Sequence, residues 1–352
     1  MGIKFGELLN EIREPLKLRE LKGKKIGIDA YVVIYQMLAR IRSDDDSANA
    51  LTDAQGRTTS HLQGLLNRTL SLVDEGINLV YCFDGKPPEF KKRELAKRAE
   101  KKRRAEEEYK IAMEKEDFDK AKKFAQQMIS IDEQIVDDSK KLLDLLGIPY
   151  VTAIHDAEAQ LAVMAQQGLI DAVASQDYDT FLFGAPLVLR NVTVSRTRMI
   201  RGQLKTVIPE KIYLEKALNE LRISRTQLIN LGLLVGTDFN DKIPKVGIKT
   251  GLKLVKQFPE WNDLIDHVSK TFFKEGDTME TYFPAAAPEI IQDYFNNPPS
   301  IDDLTINFNQ RADIKGITKF LVDERNFSEE RVSHRLMGIT KKQKQKSLNS
   351  FF

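Results

Sequence analysis

Cysteine is nearly missing from this 352-residue chain: Cys82 stands alone, inside the apolar run LVYCF. No intrachain disulfide can form, and the thiol reads as a small buried hydrophobe. Long apolar runs are missing too. None approaches the roughly 20 residues that a membrane span needs. The opening MGIKFGELLNEI is amphipathic, without an apolar core region or a small-residue cleavage site, so an intracellular protein is expected. Nor does charge of one sign prevail, since 54 basic and 52 acidic residues leave a net +2. Bulk charge therefore neither points to nucleic acid nor excludes it, and only the distribution of charge can. No internal repeat is evident. What remains is the composition of a globular protein, 41% hydrophobic and 30% charged, long enough to bury a sizeable core.

Residues 22–35, KGKKIGIDAYVVIY, read as a β-branched strand ending on Asp29 with a helix starting near Ala30. Residues 77–84, INLVYCFD, repeat the plan, an apolar strand that ends on an acid, and GKPP then stops it. A helix through KKLLDLLG is capped at Gly147 and followed by the short strand IPYV; DAVAS at 171–175 is a further strand leading into Gln176-Asp177-Tyr178-Asp179. Strands alternating with helices predict an α/β fold with a mostly parallel central sheet flanked by helices. In such sheets ligands bind beyond the carboxyl ends of the strands.

Between the second and third strands, from Phe90 to about Asp138, the chain has neither Gly nor Pro and is dense in Lys, Arg, Glu and Ala, which reads as helix almost throughout. Such runs usually form a solvated helical hairpin. Its basic opening, KKRELAKRAEKKRR, begins within a turn of Asp84 and so lies over the place where strand-end acids gather. Residues 224–258 read as two helices joined by a loop with Gly236, Pro244 and Gly247. From about Ser328 the chain is polar and lysine-rich until it closes on Leu348, Phe351 and Phe352.

Asp29, Asp84, Asp156, Glu158, Asp177, Asp179 and Asp238 each sit at or just after the end of a predicted strand or helix. Carboxylates gathered this way repel, so their pKa values rise or cations neutralise them. Hard oxygen donors without His or Cys suit Mg²⁺ or Mn²⁺ rather than zinc. Two such ions about 3.5–4 Å apart perform phosphoryl chemistry. Each acid also has a plainer reading: Asp29 and Asp156 as helix caps, Asp238 as a turn residue.

IGIDAYVVIYQ at 26–36, GRTTSHLQGLLNRT at 56–69, YCFDGKPPEFKKRELAKR at 81–98, DAEAQ at 156–160, SQDYD at 175–179, LLVGTDFN at 233–240 and the terminal QKSLNSFF together resemble the archaeal and eukaryotic flap endonucleases, over essentially the full length. The resemblance implies a PIN-like 5′ nuclease core over 1–328. Its parts would be an N-terminal nuclease region to about 98, a helical arch at about 90–138, an internal region at about 139–258 with a helix–two-turn–helix at about 225–258, and a C-terminal helical part at about 259–328. A flexible tail, 329–352, would carry a sliding-clamp box at 345–352.

It further implies two Mg²⁺ ions, with Mn²⁺ as a substitute. Asp29, Asp84, Asp156 and Glu158 fall where the family holds the first, and Asp177, Asp179 and Asp238 where it holds the second. Lys91 and Arg98 match basic residues that contact the scissile phosphate, and Tyr35 matches an aromatic that stacks a base beside the break. Arg42, Thr59, Arg68 and Arg190 match residues that touch flap or template strand. Gly247, Lys249 and Thr250 match a duplex-gripping turn, often with a monovalent cation. Gln345, Leu348, Phe351 and Phe352 form the clamp (PCNA) box. The expected activity is cleavage of DNA carrying a 5′ flap by a protein monomeric on its own and of archaeal type, since the chain closes on the clamp box without the basic extension usual in eukaryotic relatives. Two rival readings are another nuclease of the superfamily, such as a Holliday-junction resolvase or bubble-cutting enzyme, and a non-catalytic clamp-tethered DNA-binding protein.

Two positions depart from the family pattern. Asp156-Ala157-Glu158 replaces the usual E-G-E, and Lys245-Val246-Gly247 replaces a Gly-Ile-Gly turn.

Overall fold

In the computed structural model, residues 5–44, 51–194, 197–200 and 203–349 are described. The strands are β1 (Glu14–Pro15), β2 (Lys25–Asp29), β3 (Asn78–Phe83), β4 (Tyr150–Thr152), β5 (Ala172–Ala174), β6 (Leu187–Arg190), β7 (Thr197–Ile200), β8 (Gln203–Thr206) and β9 (Glu210–Tyr213). Helices α1 (Ala30–Asp44), α2 (Ser60–Asp74), α3 (Lys92–Glu114), α4 (Phe118–Gln127), α5 (Glu133–Leu146), α6 (Ala157–Gln166), α7 (Asp179–Leu182) and α8 (Leu214–Leu221) are interleaved with them. Then follow α9 (Arg225–Val235), α10 (Ile248–Gln257), α11 (Trp261–Phe272), α12 (Met279–Tyr282), α13 (Pro288–Asn296), α14 (Ile314–Thr318) and α15 (Glu329–Asn349).

Seven strands form one sheet in the order β1-β9-β6-β5-β2-β3-β4, while β7 and β8 form a separate antiparallel hairpin. The five central strands, β6 to β4, are parallel; β9 and β1 join the β6 edge antiparallel. Side chains of a strand alternate between faces, and the cores divide accordingly. Ile26 and Ile28 of β2 and Leu79, Tyr81 and Phe83 of β3 pack with α1, α2, α5, α14 and α15. Val80, Cys82 and Val173 pack on the other face with α6 to α13. Both faces are covered, which is why these strands read as unbroken apolar runs rather than alternating ones.

The stretch expected to be helical almost throughout comprises α3, α4 and the start of α5. The α3–α4 hairpin, turned at Glu116 with φ 53°, is closed by the buried seam Ala105, Ala112, Ala121 and Ala125. Small side chains at helical spacing let two otherwise solvated helices approach closely. The third, α5, belongs to the sheet layer through Ile135, Leu142, Leu143 and Leu146, and ends at Gly147 in the left-handed region, as predicted. Short strands β6 and β9 escaped the sequence reading. So did the ordered start of the segment expected to be a flexible tail from 329. Its backbone is helical over Glu329–Asn349, and Val332 and Leu336, one turn apart, are buried against the second core. A polar, lysine-rich composition hid that two-residue apolar stripe.

One glycine fixes how the sheet edge meets the loop after β4. Gly85 donates its N–H to the His155 carbonyl at 2.7 Å. A Cβ there would lie 2.0 Å from the Ala153 carbonyl oxygen and 2.4 Å from that of Ile154. Both obstacles are backbone, so the loops must separate to admit any side chain. Gly85→Ala is expected to destabilise the protein by about 1–3 kcal/mol; urea unfolding measures it, and an unchanged midpoint would contradict this close approach.

Candidate active site

Chain order places a crevice at one point of the sheet. From β2 the chain steps outward through β3 to β4, then crosses to the opposite side of β2 to form β5 and β6. The reversal lies between β2 and β5, and in open α/β sheets that reversal opens a cleft at the strands' carboxyl ends. Asp29 is the last residue of β2, Asp84 follows β3, Asp156 and Glu158 start α6 after β4, Asp177 and Asp179 follow β5, and Asp238 follows α9.

The acids feel one another. Burial and the charges of Asp84 and Asp177 push the Asp29 carboxyl up to about 8, against the N–H groups of Val32 and Tyr31, which favour the anion. Glu158 is raised well above the ordinary carboxylate range by burial and by Asp177, Asp29 and Asp179. Asp84 is also raised, mainly by burial; the Ala157 N–H opposes this and the Asp156 charge adds to it. The cap reading of Asp29 is met in part, because its Oδ1 accepts from Val32 N–H at 3.0 Å in the first turn of α1. That of Asp156 is not: it holds the N-cap position of α6 but makes no side-chain cap bond. Asp84 instead reaches across to accept from the Ala157 N–H at 2.8 Å. Ser175 donates its hydroxyl to Glu158 at 3.0 Å, and Asp177 Oδ1 accepts from the Asp179 N–H at 3.1 Å.

Among the described residues, no three His, Cys, Asp or Glu side chains close to metal-ligand spacing. Cations of the chain itself meet two of the acids. Lys91 Nζ pairs with Asp156 Oδ1 and lies 3.9 Å from Asp238 Oδ2. Arg98 Nη2 donates to Asp238 Oδ2 at 2.5 Å. Burial opposes the Lys91 charge, but Asp156, Asp238 and Asp84 outweigh it and hold the ammonium above its ordinary value. Lys91 itself stands in the 3-10 turn Glu89–Lys91 that leads into α3 rather than inside that helix. The donor set fits hard divalent cations: all seven carboxyls supply oxygen alone, and their mutual repulsion is relieved by positive charge.

Of the other expected contacts, Tyr35 is 46% exposed on α1 and so is not a core aromatic. Three of the expected strand contacts are buried or part-buried and engage the protein's own groups. Thr59 is buried, with its hydroxyl donated to the Leu51 carbonyl at 3.2 Å. Arg68 is part-buried, and its charge lowers the pKa of the buried Tyr81 phenol, though burial dominates and raises it. Arg190 donates to the Gln176 carbonyl at 2.7 Å and stacks its guanidinium 4.1 Å over the Tyr178 ring. Arg190 thus steadies the Asp177–Asp179 loop from within. A scan of sequence for isolated Thr and Arg cannot distinguish such internal struts from surface contacts. Gly247 is the N-cap of α10 in open space, with exposed Lys249 and part-exposed Thr250 in the first turn. Lys245 adopts φ 60°, the conformation for which glycine is the ordinary choice. The Arg42 side chain, the side chains of Gln345 and Leu348, and all of Phe351 and Phe352 lie outside the described residues.

Three features of the site were missed. Tyr294 of α13 donates its hydroxyl to Asp156 Oδ2 at 2.5 Å; burial and the Asp156 charge push its pKa far up, so the phenol keeps its proton. Phe90, Phe239 and Tyr294 pack edge to face at 5.1–5.3 Å. Asp241 pairs with Arg93 at 2.9 Å and with Lys97, tying the start of α3 to the loop after α9. Asp241 follows Asp238 by three residues and was within reach of a charge-pair argument; Tyr294 carried no local signal.

The XPG N-terminal domain model matches residues 1–105 and the XPG I-region model residues 147–238. Flap endonuclease 1 of Pyrococcus furiosus is 43% identical over 358 aligned residues, covering 100% of this chain and 99% of that protein. Among solved structures, Flap Endonuclease-1 from Methanococcus jannaschii matches with TM-score 0.70 at 33% identity, over 96% of this chain and 98% of that one. The catalytic core of Rad2 in complex with DNA substrate matches in fold, with TM-score 0.70 at 23% identity, over 96% and 100% of the two chains.

The raised carboxyls give a pH signature. Asp29, ordinarily at 3.8, holds its proton in the folded state up to about 8, so its contribution to stability is complete below about pH 4 and lost as pH rises through about 8. Without divalent cations the unfolding midpoint should fall between about pH 5 and pH 8, by roughly 1–3 kcal/mol in stability. Added Mg²⁺ should raise the midpoint more at the upper pH than at the lower. Denaturation at several pH values, with and without Mg²⁺, checks the sign; a metal-free midpoint that rises with pH would contradict the repulsion argument.

Proposed function

The chain belongs to the flap endonuclease family, and from that premise we propose that it hydrolyses one phosphodiester at the junction of duplex DNA and a 5′ single-stranded flap. The observation that carries this reading is the carboxylate-lined switch point with two arch-base cations, Lys91 and Arg98, held over it by Asp156 and Asp238. The activity is that of a metal-dependent DNA nuclease serving replication and repair, as in its relatives.

Nucleases of this family depend on divalent metal. The finer reading is two Mg²⁺ ions, one held by Asp29, Asp84, Asp156 and Glu158 and the other by Asp177, Asp179 and Asp238, with Mn²⁺ as a substitute. Bound there, such ions activate water and stabilise the attacking and leaving oxygens. The chain's own residues supply the rest. Lys91 and Arg98 offer fixed positive charge where negative charge builds on the phosphorus oxygens, and a donor that is already in place costs no reorganisation at that moment. A phosphate entering the cleft competes for them with Asp156 and Asp238. Exposed Tyr35 is available to stack a base. The first turn of α10, with Gly247, Lys249 and Thr250, presents backbone N–H groups to duplex phosphates, with a monovalent cation as an aid. Arg42 is assigned to the strands by family position alone. Thr59, Arg68 and Arg190 shape the surface from inside. Recognition is by shape, since few base edges are read.

The last eight residues, with Gln345, Leu348, Phe351 and Phe352, are assigned as the tether to a sliding clamp (PCNA), by a protein that is monomeric alone and works in the cytoplasm or nucleoid. Such a box is recognised as one apolar helical turn set in a groove. No helix among the described residues is long and apolar enough to cross a membrane.

Asp177→Asn is expected to lower flap cutting at least ~10³-fold, the scale of losing a principal electrostatic contributor to the transition state, and to leave flap binding measurable by gel shift. Unimpaired turnover would sink the metal assignment. Deletion of Gln345 through Phe352 should remove stimulation by the clamp and spare intrinsic cutting of a double-flap substrate. Stimulation that survives the deletion would place the tether elsewhere.

A further inference from the structure

Asp156 is gripped at both oxygens: Lys91 takes Oδ1, and Tyr294, 138 residues away in sequence, takes Oδ2 at 2.5 Å. The two partners differ in kind. Lys91 is a flexible cation that a phosphate or a metal ion can draw off or replace. Tyr294 is a neutral donor whose ring is fixed edge to face by Phe90 at 5.1 Å, Phe239 at 5.3 Å and Phe183 at 5.7 Å. Asp156 also occupies the N-cap position of α6, where aspartate is among the residues most prone to fold back onto the helix N–H groups. Yet its side chain makes no cap bond.

We infer that Tyr294 is a positioning residue: its hydroxyl holds the short Asp156 carboxylate out over the cleft and prevents it from collapsing into an N-cap of α6. The inference rests on the reading of Asp156 as part of the divalent-cation site. It gives the aromatic cluster a task beyond packing. The ring that sets the Tyr294 hydroxyl also lies against Phe90, next to Lys91, and against Phe239, next to Asp238, so one rigid unit registers three charged groups of the site.

The test is Mn²⁺ binding to the DNA-free protein, read from the electron paramagnetic resonance signal of free Mn²⁺, with the Mg²⁺ concentration for half-maximal cutting measured alongside. Tyr294→Phe keeps the ring and its packing, so the unfolding midpoint should stay unchanged or rise slightly as Asp156 caps α6. Metal affinity should fall about tenfold, the usual scale for losing a hydrogen-bond partner of a ligand. The Mg²⁺ requirement should rise by a similar factor while the rate at saturating Mg²⁺ changes less than about twofold. In an Asp156→Glu background, where the longer acid is a poor cap, the same tyrosine change should cost less than about twofold in affinity. Unchanged Mn²⁺ affinity in Tyr294→Phe, or an equal loss in the Asp156→Glu background, overturns the inference while the metal reading stands. A wild-type protein that binds no Mn²⁺ overturns both.

Discussion

Repulsion among carboxylates at the carboxyl edge of one sheet is the constraint around which this structure is arranged. Burial, with the charges of neighbouring acids added to it, raises Asp29, Asp84 and Glu158, an arrangement that costs stability unless positive charge compensates. Compensation comes from two directions: Lys91 and Arg98 at the foot of α3, and backbone N–H groups such as those of Val32 and Ala157. The Ala157 interaction does two things at once, since it satisfies the first N–H of α6 and anchors Asp84. Close approach of the loops, possible because Gly85 has no side chain, makes that bond geometrically available.

Hard electrostatics at the edge is backed by soft packing behind it. Phe90, Phe239 and Tyr294 come from the turn before α3, the loop after α9, and α13, three segments far apart in the chain. Their edge-to-face contacts fix relative positions that charge pairs alone would leave loose, because exposed ion pairs are worth little and are easily exchanged. The pairs of Asp241 with Arg93 and Lys97 are of the exchangeable kind. A cleft that must admit a charged polymer needs both, with rigid registration below and replaceable counterions above.

Much of this was legible in the sequence, and the illegible parts have common causes. The strands ending on Asp29 and Asp84 could be read because unbroken apolar runs stop abruptly at an acid and a turn. The alternation of strand and helix gave the parallel sheet. Strands β6 and β9, four residues each, carry too little pattern to stand out, and β9 takes its place through pairing with β6 on one side and β1 on the other. The helical start of the tail was masked by the charged and polar residues around Val332 and Leu336, Glu329, Glu330, Arg331 and Arg335 among them. Thr59, Arg68 and Arg190 were matched to strand-contacting residues by family position, which says nothing of burial, because the direction of a side chain depends on tertiary contacts. Tyr294 was beyond reach altogether, since its meaning lies in a partner far along the chain.

The two departures from the family pattern are resolved differently by the physics. Lys245 sits at φ 60°, a strain of about 1–2 kcal/mol for a residue with a Cβ. It lies in an exposed turn where the strain stays local, and Gly247 two residues later still opens the N-terminus of α10. Replacement of glutamate by aspartate at 156 is the graver change, because a shortened acid at an N-cap has an attractive alternative partner in its own helix. A substitution of that kind persists in an active enzyme only where something outside the helix outbids the cap. The buried phenol of Tyr294 does so with one hydrogen bond, and its position in turn depends on rings beside the very lysine and aspartate that face the same cleft.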